Sequence, residues 1–349
     1  MTSLRGGYRG GVSSTAPAPA PTGRPRSPRD AADAAGPPPG QTRRRGAPSY
    51  RWARRILWAN LVAQIGIVVT GGVVRLTGSG LGCSTWPQCE PGQFAPVMHP
   101  ELGWHPVIEF GNRTLTGVLG VLALATAWIV WRERHRARPY RALGLVPLIG
   151  VLVQAVVGGL TVLVELHPAF VGVHFMLSMV LIAASTVVLR RHAEGDGTPR
   201  WHVTPRTRRL AAGLVPLTVL MIALGVVVTG AGPHSGDLEI AQRLALDPVA
   251  VSRVHAAAVW VYVAVLALVV AAIHRDRAPS TARRAAWVLV GVTLAQGIIG
   301  YVQFFTGLPE VLVAAHMLGA SLLVAAQANQ LLALRDRSVE DVGPVVTRG

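Results

Sequence analysis

Three histidines occupy matching positions in this chain of 349 residues, and a fourth matching position holds an asparagine. His174, His255 and His316 each follow the start of a long apolar segment by a few residues, and Asn112 has the same place in another segment. A neutral imidazole is a common axial ligand of haem iron, and two of them on opposite sides of the porphyrin give a six-coordinate haem. The pattern therefore predicts haem binding by two sites with different ligand sets.

A single histidine in an apolar helix is more often a hydrogen-bonded core residue than an iron ligand. Three at matching positions favour ligation, because polar side chains at membrane depth are costly and tend to be functional. His255 and His316 predict a complete ligand pair. His174 faces Asn112, a poor iron ligand, so we expect a haem there to be five-coordinate or to take water or another weak ligand. An incomplete coordination sphere suits a substrate or reaction site better than an electron relay.

Charged residues accompany Asn112. Glu109 lies three residues before Asn112 and four before Arg113, so the three share one helix face. One interpretation is a buried ion pair that satisfies itself, and the other makes Glu109 an acid, a base or an electrostatic stabiliser beside a reacting porphyrin. No equivalent carboxylate precedes His255, which favours the chemical role. Arg75, at the end of the first apolar segment, can pair with a haem propionate or extend to lipid headgroups.

The elements that must hold these residues are membrane-spanning helices. Hydrophobic residues make up 51% of the chain, and apolar runs of about 20 residues recur, which is the length needed to cross a bilayer as helix. A helix also satisfies its own backbone hydrogen bonds in lipid. We predict an all-α integral membrane protein with eight such segments, at 56–75, 107–131, 142–163, 169–189, 210–230, 249–273, 285–305 and 311–334.

The basic residues have a one-sided distribution. The formal net charge is +16, and five arginines lie in 131–141, six in 190–209 and four in 274–284, whereas 76–105 has none. Arginine on alternate loops is the positive-inside pattern. We therefore expect a multi-pass protein of the plasma membrane with both termini in the cytoplasm. The charge reflects topology, so we predict no nucleic-acid partner.

The sequence also repeats itself. The segment VVTGGVVRLTGSG at 68–80 recurs as VVVTGAGPHSG at 226–236. Further pairs lie 142 or 143 positions apart: Gln154 and Gln296, Gly158 and Gly300, His174 and His316, and Asn112 and His255. The eight helices are thus predicted to form two tandem, pseudo-symmetric four-helix bundles related by an axis along the membrane normal. The paired glutamines either line the bundles or bridge helices by hydrogen bonds.

This organisation predicts five parts of the chain. Residues 1–50 are rich in proline, alanine, glycine, serine and arginine and poor in large apolar residues, which is typical of disorder. The predicted parts are a disordered cytoplasmic tail at 1–50, a first half at 51–190, a cytoplasmic linker at 191–209, a second half at 210–335 and a cytoplasmic tail at 336–349.

Cys83 and Cys89 are the only two cysteines of the chain. Both fall in the first outer loop, on the oxidising side, where they can form a disulfide or remain free thiols. Their spacing excludes a CxxC redox motif. A metal site is not expected either, because no four-ligand set surrounds them.

Several motifs of the sequence resemble those of the haem A synthase family. They are GGVVRLTGSGLGCSTWPQC at 71–89, IEFGNR at 108–113, VGVHFMLS at 171–178 and VTGAGPHSGD at 228–237, together with His255 and His316. The resemblance covers about residues 50–335. It implies an eight-helix membrane oxidoreductase that converts haem O to haem A, by successive hydroxylations of a methyl group to a formyl group. The product serves cytochrome c oxidase.

The resemblance also implies roles for individual residues. His255 and His316 hold a haem b cofactor in the second half, and Cys83 and Cys89 form a disulfide. The first half binds the substrate haem O, through these residues: His174 as axial ligand, Glu109 near the reacting methyl, and Asn112, Arg113 and Arg75 as further contacts. Family members usually have a histidine at both positions of each half, so Asn112 is a departure. Implied partners are membrane lipid, a haem O synthase and an unidentified electron donor.

Two other functions remain open on the sequence. A dihaem b-type membrane electron-transfer protein needs complete ligand pairs in both halves, and Asn112 argues against one. A secondary transporter built on parallel repeats needs discontinuous helices and ionisable groups at the midplane. The polar residues of this chain cluster instead towards the outer ends of the segments.

Overall fold

The computed structural model describes residues 48–97, 100–237, 239 and 242–337. The described residues form one compact unit. The predicted tails at 1–50 and 336–349 fall almost entirely outside them, although the first helix already begins at Pro48.

Nine helices and a pair of two-residue strands make up the described chain. The helices are α1 (Pro48–Leu76), α2 (His105–Arg132), α3 (Arg138–Leu143), α4 (Val146–Leu163), α5 (Pro168–Ala193), α6 (Pro205–Ala231), α7 (Pro248–Arg275), α8 (Ser280–Phe305) and α9 (Glu310–Ala333). With α3 and α4 counted as one span, eight segments are long and apolar enough to cross a bilayer. The prediction of an all-α, multi-pass membrane protein with eight spans is therefore confirmed. The pseudo-symmetry of the two halves stays a prediction.

Local sequence fixes where the helices begin. Pro168, Pro205 and Pro248 each open a helix, where the missing N–H costs nothing. The side chain of Thr204 caps α6, and that of Asp247 caps α7 by accepting from two backbone N–H groups. Because these starts are fixed, His174 and His255 lie six and seven residues into their helices, about 10 Å along the axis.

The helices pack around a shared centre. Neighbours in sequence form the pairs α1–α2, α4–α5, α6–α7 and α8–α9, while α1, α5 and α9 all contact one another. One buried cluster crosses the predicted halves, with Leu57 of α1, Ile182 of α5, Ile222 of α6 and Val324 of α9. The two halves therefore share part of one core.

Polar contacts close the end of the bundle that carries the loops 133–137 and 194–204, here called the arginine-rich end. Nε of Arg136 donates to Oδ2 of Asp196 at 2.7 Å, and Nη2 donates to the carbonyls of Arg191 and Glu194. The same guanidinium lies 4.0 Å from the ring centroid of Tyr140. Arg136 thus ties the loop after α2 to the loop after α5.

The predicted linker at 191–209 is only partly irregular. Its ends belong to α5 and α6, because these helices run past their apolar stretches into arginine-rich turns. Between them, strand β1 (Arg200–Trp201) pairs antiparallel with β2 (Arg335–Asp336), which follows α9. The connection between the halves is thereby fastened to the end of the last helix.

Asp196 predicts a dependence of stability on pH. Burial alone raises the pKa of its carboxyl, but hydrogen bonds from Arg136 and the N–H of Ala137 bring that pKa below the ordinary value. Its stabilising effect is therefore complete above the unfolded pKa, near 3.9, and is lost as pH falls through the lower folded pKa. We expect the melting temperature of the purified protein to drop below about pH 4.

Asp196→Asn should lower the melting temperature at neutral pH and flatten this acid dependence, whereas Glu101→Gln, at an exposed position, should change neither. Thermal unfolding in detergent between about pH 3 and pH 7 measures both. An acid slope that survives Asp196→Asn would contradict the assignment.

Candidate functional site

The loop between α1 and α2 is closed by a disulfide between Cys83 and Cys89. The predicted disulfide is therefore present, and the free-thiol interpretation is wrong. Both cysteines are fully buried. Trp86 and Phe94 of this loop line a cavity at the end of the bundle, here called the disulfide end.

The cavity at the disulfide end has a volume of about 380 Å³. Helices α1, α2, α4 and α5 form most of its wall. The structure brings together in this wall all the residues predicted for the substrate half, namely Arg75, Glu109, Asn112, Arg113 and His174. Their common location is a finding, while their roles in binding or catalysis stay predictions.

Glu109 connects α2 to the disulfide loop. Its Oε2 accepts a hydrogen bond from the N–H of Cys83 at 2.7 Å, and its Oε1 accepts from Nε of Arg113 at 3.0 Å and from a terminal nitrogen of the same guanidinium. Arg113 also donates to the carbonyl of Thr85 at 2.8 Å. The predicted ion pair therefore exists and holds the loop over the cavity. Glu109 is also part of the cavity wall, which is the position that a chemical role requires.

Each bundle histidine lies against a glycine of the preceding long helix. A side chain added at that glycine would press on the imidazole, so the glycine leaves the room in which the ring sits. The distances from an ideal Cβ on the glycine to Cε1 of the histidine are 3.1 Å for Gly158 and His174, 3.3 Å for Gly225 and His255, and 3.1 Å for Gly300 and His316.

The paired glutamines bridge helices in both halves. Nε2 of Gln154 donates to the carbonyl of His174 at 3.0 Å, and Nε2 of Gln296 donates to the carbonyl of His316 at 2.8 Å. Gln154 also lines the cavity, so the two interpretations of this residue are compatible. The bonds fasten the backbone that carries each of these histidines to the neighbouring helix.

Each of the three imidazoles has one nitrogen without a partner in the part of the chain that the structure describes. Nδ1 of His174, His255 and His316 is buried and has no hydrogen-bond partner among the described residues, and such groups call for an explanation.

Asn112 has a partner that the sequence analysis missed. The hydroxyl of Thr70 on α1 lies 2.8 Å from Oδ1 of Asn112. Thr70 belongs to the repeated VTG motif, and this repetition was the only sign in the sequence that pointed to the residue.

Arg75 lies five residues further along α1. It donates weakly to the carbonyl of Thr229 at 3.4 Å, and its Nε is buried without a partner among the described residues. A buried guanidinium N–H in the cavity wall fits a propionate better than lipid headgroups.

The second half supplies part of the cavity wall. Ser235 and Gly236, in the loop after α6, line the cavity. The N–H of Gly80 donates to the carbonyl of Gly236 at 2.8 Å, and Ser79 forms a β-bridge with Asp237. The sequence did not predict this closure, because it depends on how two distant loops meet.

Comparison with known proteins gives consistent matches. The sequence model of a family described as cytochrome oxidase assembly protein, COX15-CtaA, matches residues 54–328. A heme A synthase of Bacillus pumilus is 30% identical over 169 residues, which are 46% of this chain and 53% of that protein. A heme A synthase of Shouchella clausii is 31% identical over 166 residues, 47% of this chain and 53% of that protein. The chain thus spans about half the length of these relatives, and their names give no support to a dihaem electron carrier.

The histidine–glycine contacts predict how the haem content of the protein changes when a larger side chain replaces the glycine. Gly300→Val should displace the His316 ring and sharply lower the haem bound by the purified protein. Gly297→Val is the matched control, because Gly297 lies on the same helix and an added Cβ there meets no atom within 4 Å. Pyridine haemochrome assay of both variants measures the difference. Equal haem content in the two would show that the His316 ring is not at an iron site.

Proposed function

Because the chain belongs to the family of cytochrome oxidase assembly proteins, we propose that it works as a haem A synthase. In this proposal the protein oxidises a methyl group of haem O to a formyl group by successive hydroxylations. The resulting haem A is destined for cytochrome c oxidase.

One observation carries the proposal. A single cavity at the disulfide end has one histidine, one asparagine and the Glu109–Arg113 pair in its wall. A site that oxidises a haem needs a cavity with ionisable side chains in its wall and an incomplete set of iron ligands. A plain electron relay needs a complete set, which is what His255 and His316 offer in the second half.

The second half is proposed to hold haem b as a resident cofactor. His255 and His316 would be its axial ligands, since both hold matched positions in the sequence repeat and their Nδ1 atoms have no partner among the described side chains. Haem b supplies one-electron transfer when it is bound. Gly225 and Gly300 leave room for these two rings.

The first half is proposed to bind the substrate haem O. His174 would be the iron ligand, and its ring is held against Gly158. Arg75 would pair with a propionate through its buried guanidinium. Trp86 and Phe94 of the disulfide loop line this cavity. With haem O bound they would cover the porphyrin and exclude water, which strengthens electrostatic interactions inside the cavity.

Glu109 is proposed to act beside the reacting methyl group. Three donors fix its carboxylate, so its two oxygens have little freedom to move. A carboxylate fixed in this way can exchange a proton with a group formed on the reacting carbon, or stabilise charge there. Arg113 positions Glu109 and holds the disulfide loop through the carbonyl of Thr85.

The surroundings of the site agree with a membrane enzyme. The eight spans place the protein in contact with lipid, and haem O is itself a lipophilic substrate. We propose the plasma membrane as its location, with both termini in the cytoplasm as the arginine pattern predicts. In this proposal dioxygen is the oxidant of each hydroxylation and an electron donor supplies the two electrons that reduce its second oxygen atom to water. A haem O synthase is the proposed source of the substrate.

The two halves should respond differently to loss of a ligand. His255→Ala or His316→Ala should abolish the low-spin haem b spectrum, because each removes an axial ligand. Asn112→Ala should leave that spectrum largely intact, since Asn112 lies in the wall of the cavity at the disulfide end, in the first half. Optical spectra of the reduced proteins measure this. Loss of the low-spin signal in Asn112→Ala would contradict the division between the halves.

Conversion of haem O tests the enzyme directly. Purified protein supplied with haem O and a reductant under air should yield hydroxylated and formyl haems, detected by chromatography and mass spectrometry of the extracted pigments. Glu109→Gln should lower the rate by about a hundredfold, the lower end of what acid–base groups contribute, with the haem b spectrum retained. Glu101→Gln, at an exposed position, is the control. Absence of any oxidised haem with the wild-type protein would refute the proposed function.

A further inference from the structure

The side chain of Asn112 is held in one orientation. Its Oδ1 lies 2.8 Å from the hydroxyl of Thr70, which lies 3.2 Å from the carbonyl of Ile67. The amide oxygen can only accept, so the shorter contact directs the hydroxyl proton to Asn112. The Nδ2 group, with two N–H donors, is then left on the other side of the amide. It makes no hydrogen bond among the residues that the structure describes.

The glycine that the sequence repeat pairs with Asn112 differs from the three glycines that contact a histidine. The repeated VTG motifs of α1 and α6 lie 159 positions apart, so Gly66 corresponds to Gly225. Gly225 packs against the His255 ring, with 3.3 Å from an added Cβ to Cε1. A Cβ built on Gly66 meets no atom within 4 Å. Gly66 is thus a glycine with no ring packed against it, at the place in the sequence repeat that corresponds to Gly225.

Asn112 is a poor candidate for an iron ligand on chemical grounds. The amide nitrogen has no lone pair free for a metal, and the oxygen is already engaged by Thr70. The side chain is also shorter than histidine. If His174 binds the iron of haem O on one face, the other face therefore has no protein ligand at this position.

We propose that Asn112 donates a hydrogen bond from Nδ2 to a small ligand of the substrate iron, on the face opposite His174, and that Thr70 orients it. This rests on the proposed function and assigns to Asn112 a task that a histidine ligand could not perform. The ligand class is a small oxygen species that can accept a hydrogen bond, either water or hydroxide, or dioxygen. A donor in the distal pocket of a haem stabilises such ligands and sets which of them bind.

Ligand affinity of the loaded iron tests the proposal without relying on turnover. Full-length protein is loaded with ferric haem O and titrated with azide, an anion that accepts hydrogen bonds, and the high-spin band is followed optically. A haem in the second half with two histidine ligands has no open position and contributes a constant background. Wild-type protein should bind azide at the substrate iron.

Asn112→Leu keeps the size of the side chain but removes the donor, and should weaken azide binding by about tenfold, as expected for one hydrogen bond to an anion. Thr70→Val leaves the donor present but no longer oriented, and should weaken binding by a smaller factor. Thr126→Val is the matched control. It is a buried threonine of α2, 14 residues beyond Asn112 or about 21 Å along the helix, and azide affinity should stay at the wild-type value.

Carbon monoxide on the ferrous haem O protein separates the two ligand classes. A donor that reaches a diatomic ligand lowers the C–O stretching frequency, and Asn112→Leu should raise it towards that of an apolar pocket. A shift shows that the amide reaches dioxygen-like ligands. If azide affinity falls but the frequency does not move, the amide serves water or hydroxide.

Asn112→His offers a converse test, because it places a histidine at the position that corresponds to His255 in the sequence repeat. This variant should convert the substrate iron to a low-spin form that no longer binds azide. The inference is overturned if wild-type ferric haem O is already low-spin and unreactive, or if Asn112→Leu and Thr70→Val both leave azide affinity unchanged. Those outcomes leave haem O conversion untouched, whereas failure to bind or oxidise haem O defeats the proposed function itself.

Discussion

The contact between an imidazole and a glycine on the neighbouring helix fixes where each of the three bundle histidines lies. In lipid, helices associate through close packing of small residues, and here Gly158, Gly225 and Gly300 open the space that a ring occupies. The ring nitrogens that face this space have no other protein partner among the described residues. Glutamine bonds to the carbonyls of His174 and His316 then fix the backbone behind two of the rings.

At one of the four matched positions an asparagine stands in place of a histidine, and the side chains around it differ between the two halves. Asn112 is bonded to Thr70 and lies in a wall that also holds Glu109, whereas no carboxylate precedes His255 at the equivalent place. The disulfide loop and the loop carrying Gly236 cover the same cavity. The cavity of the predicted first half is therefore completed by a loop of the second half, which makes the cavity a product of both.

Much of this architecture was predictable, because bilayer thickness and backbone hydrogen bonding restrict a chain with long apolar runs to spanning helices. The repeat also located His174 and Asn112, and Glu109 followed from its helical spacing to Asn112 and Arg113. Three features were not predictable. Thr70 reaches Asn112 only through the packing of α1 on α2, Gly236 reaches the cavity through loop closure, and the β1–β2 pair depends on where α9 ends. Hydropathy and spacing along one chain do not specify such contacts between distant segments.

The central claim is that one half holds a haem between two histidines while the other presents the substrate iron with a single histidine ligand. A cryo-electron microscopy structure of the protein with haem O bound tests it most directly. The account predicts one iron between His255 and His316 and a second iron within bonding distance of His174, with Asn112 on its opposite face and outside bonding distance. A haem O bound away from the cavity, or an iron bonded directly to Asn112, would contradict it.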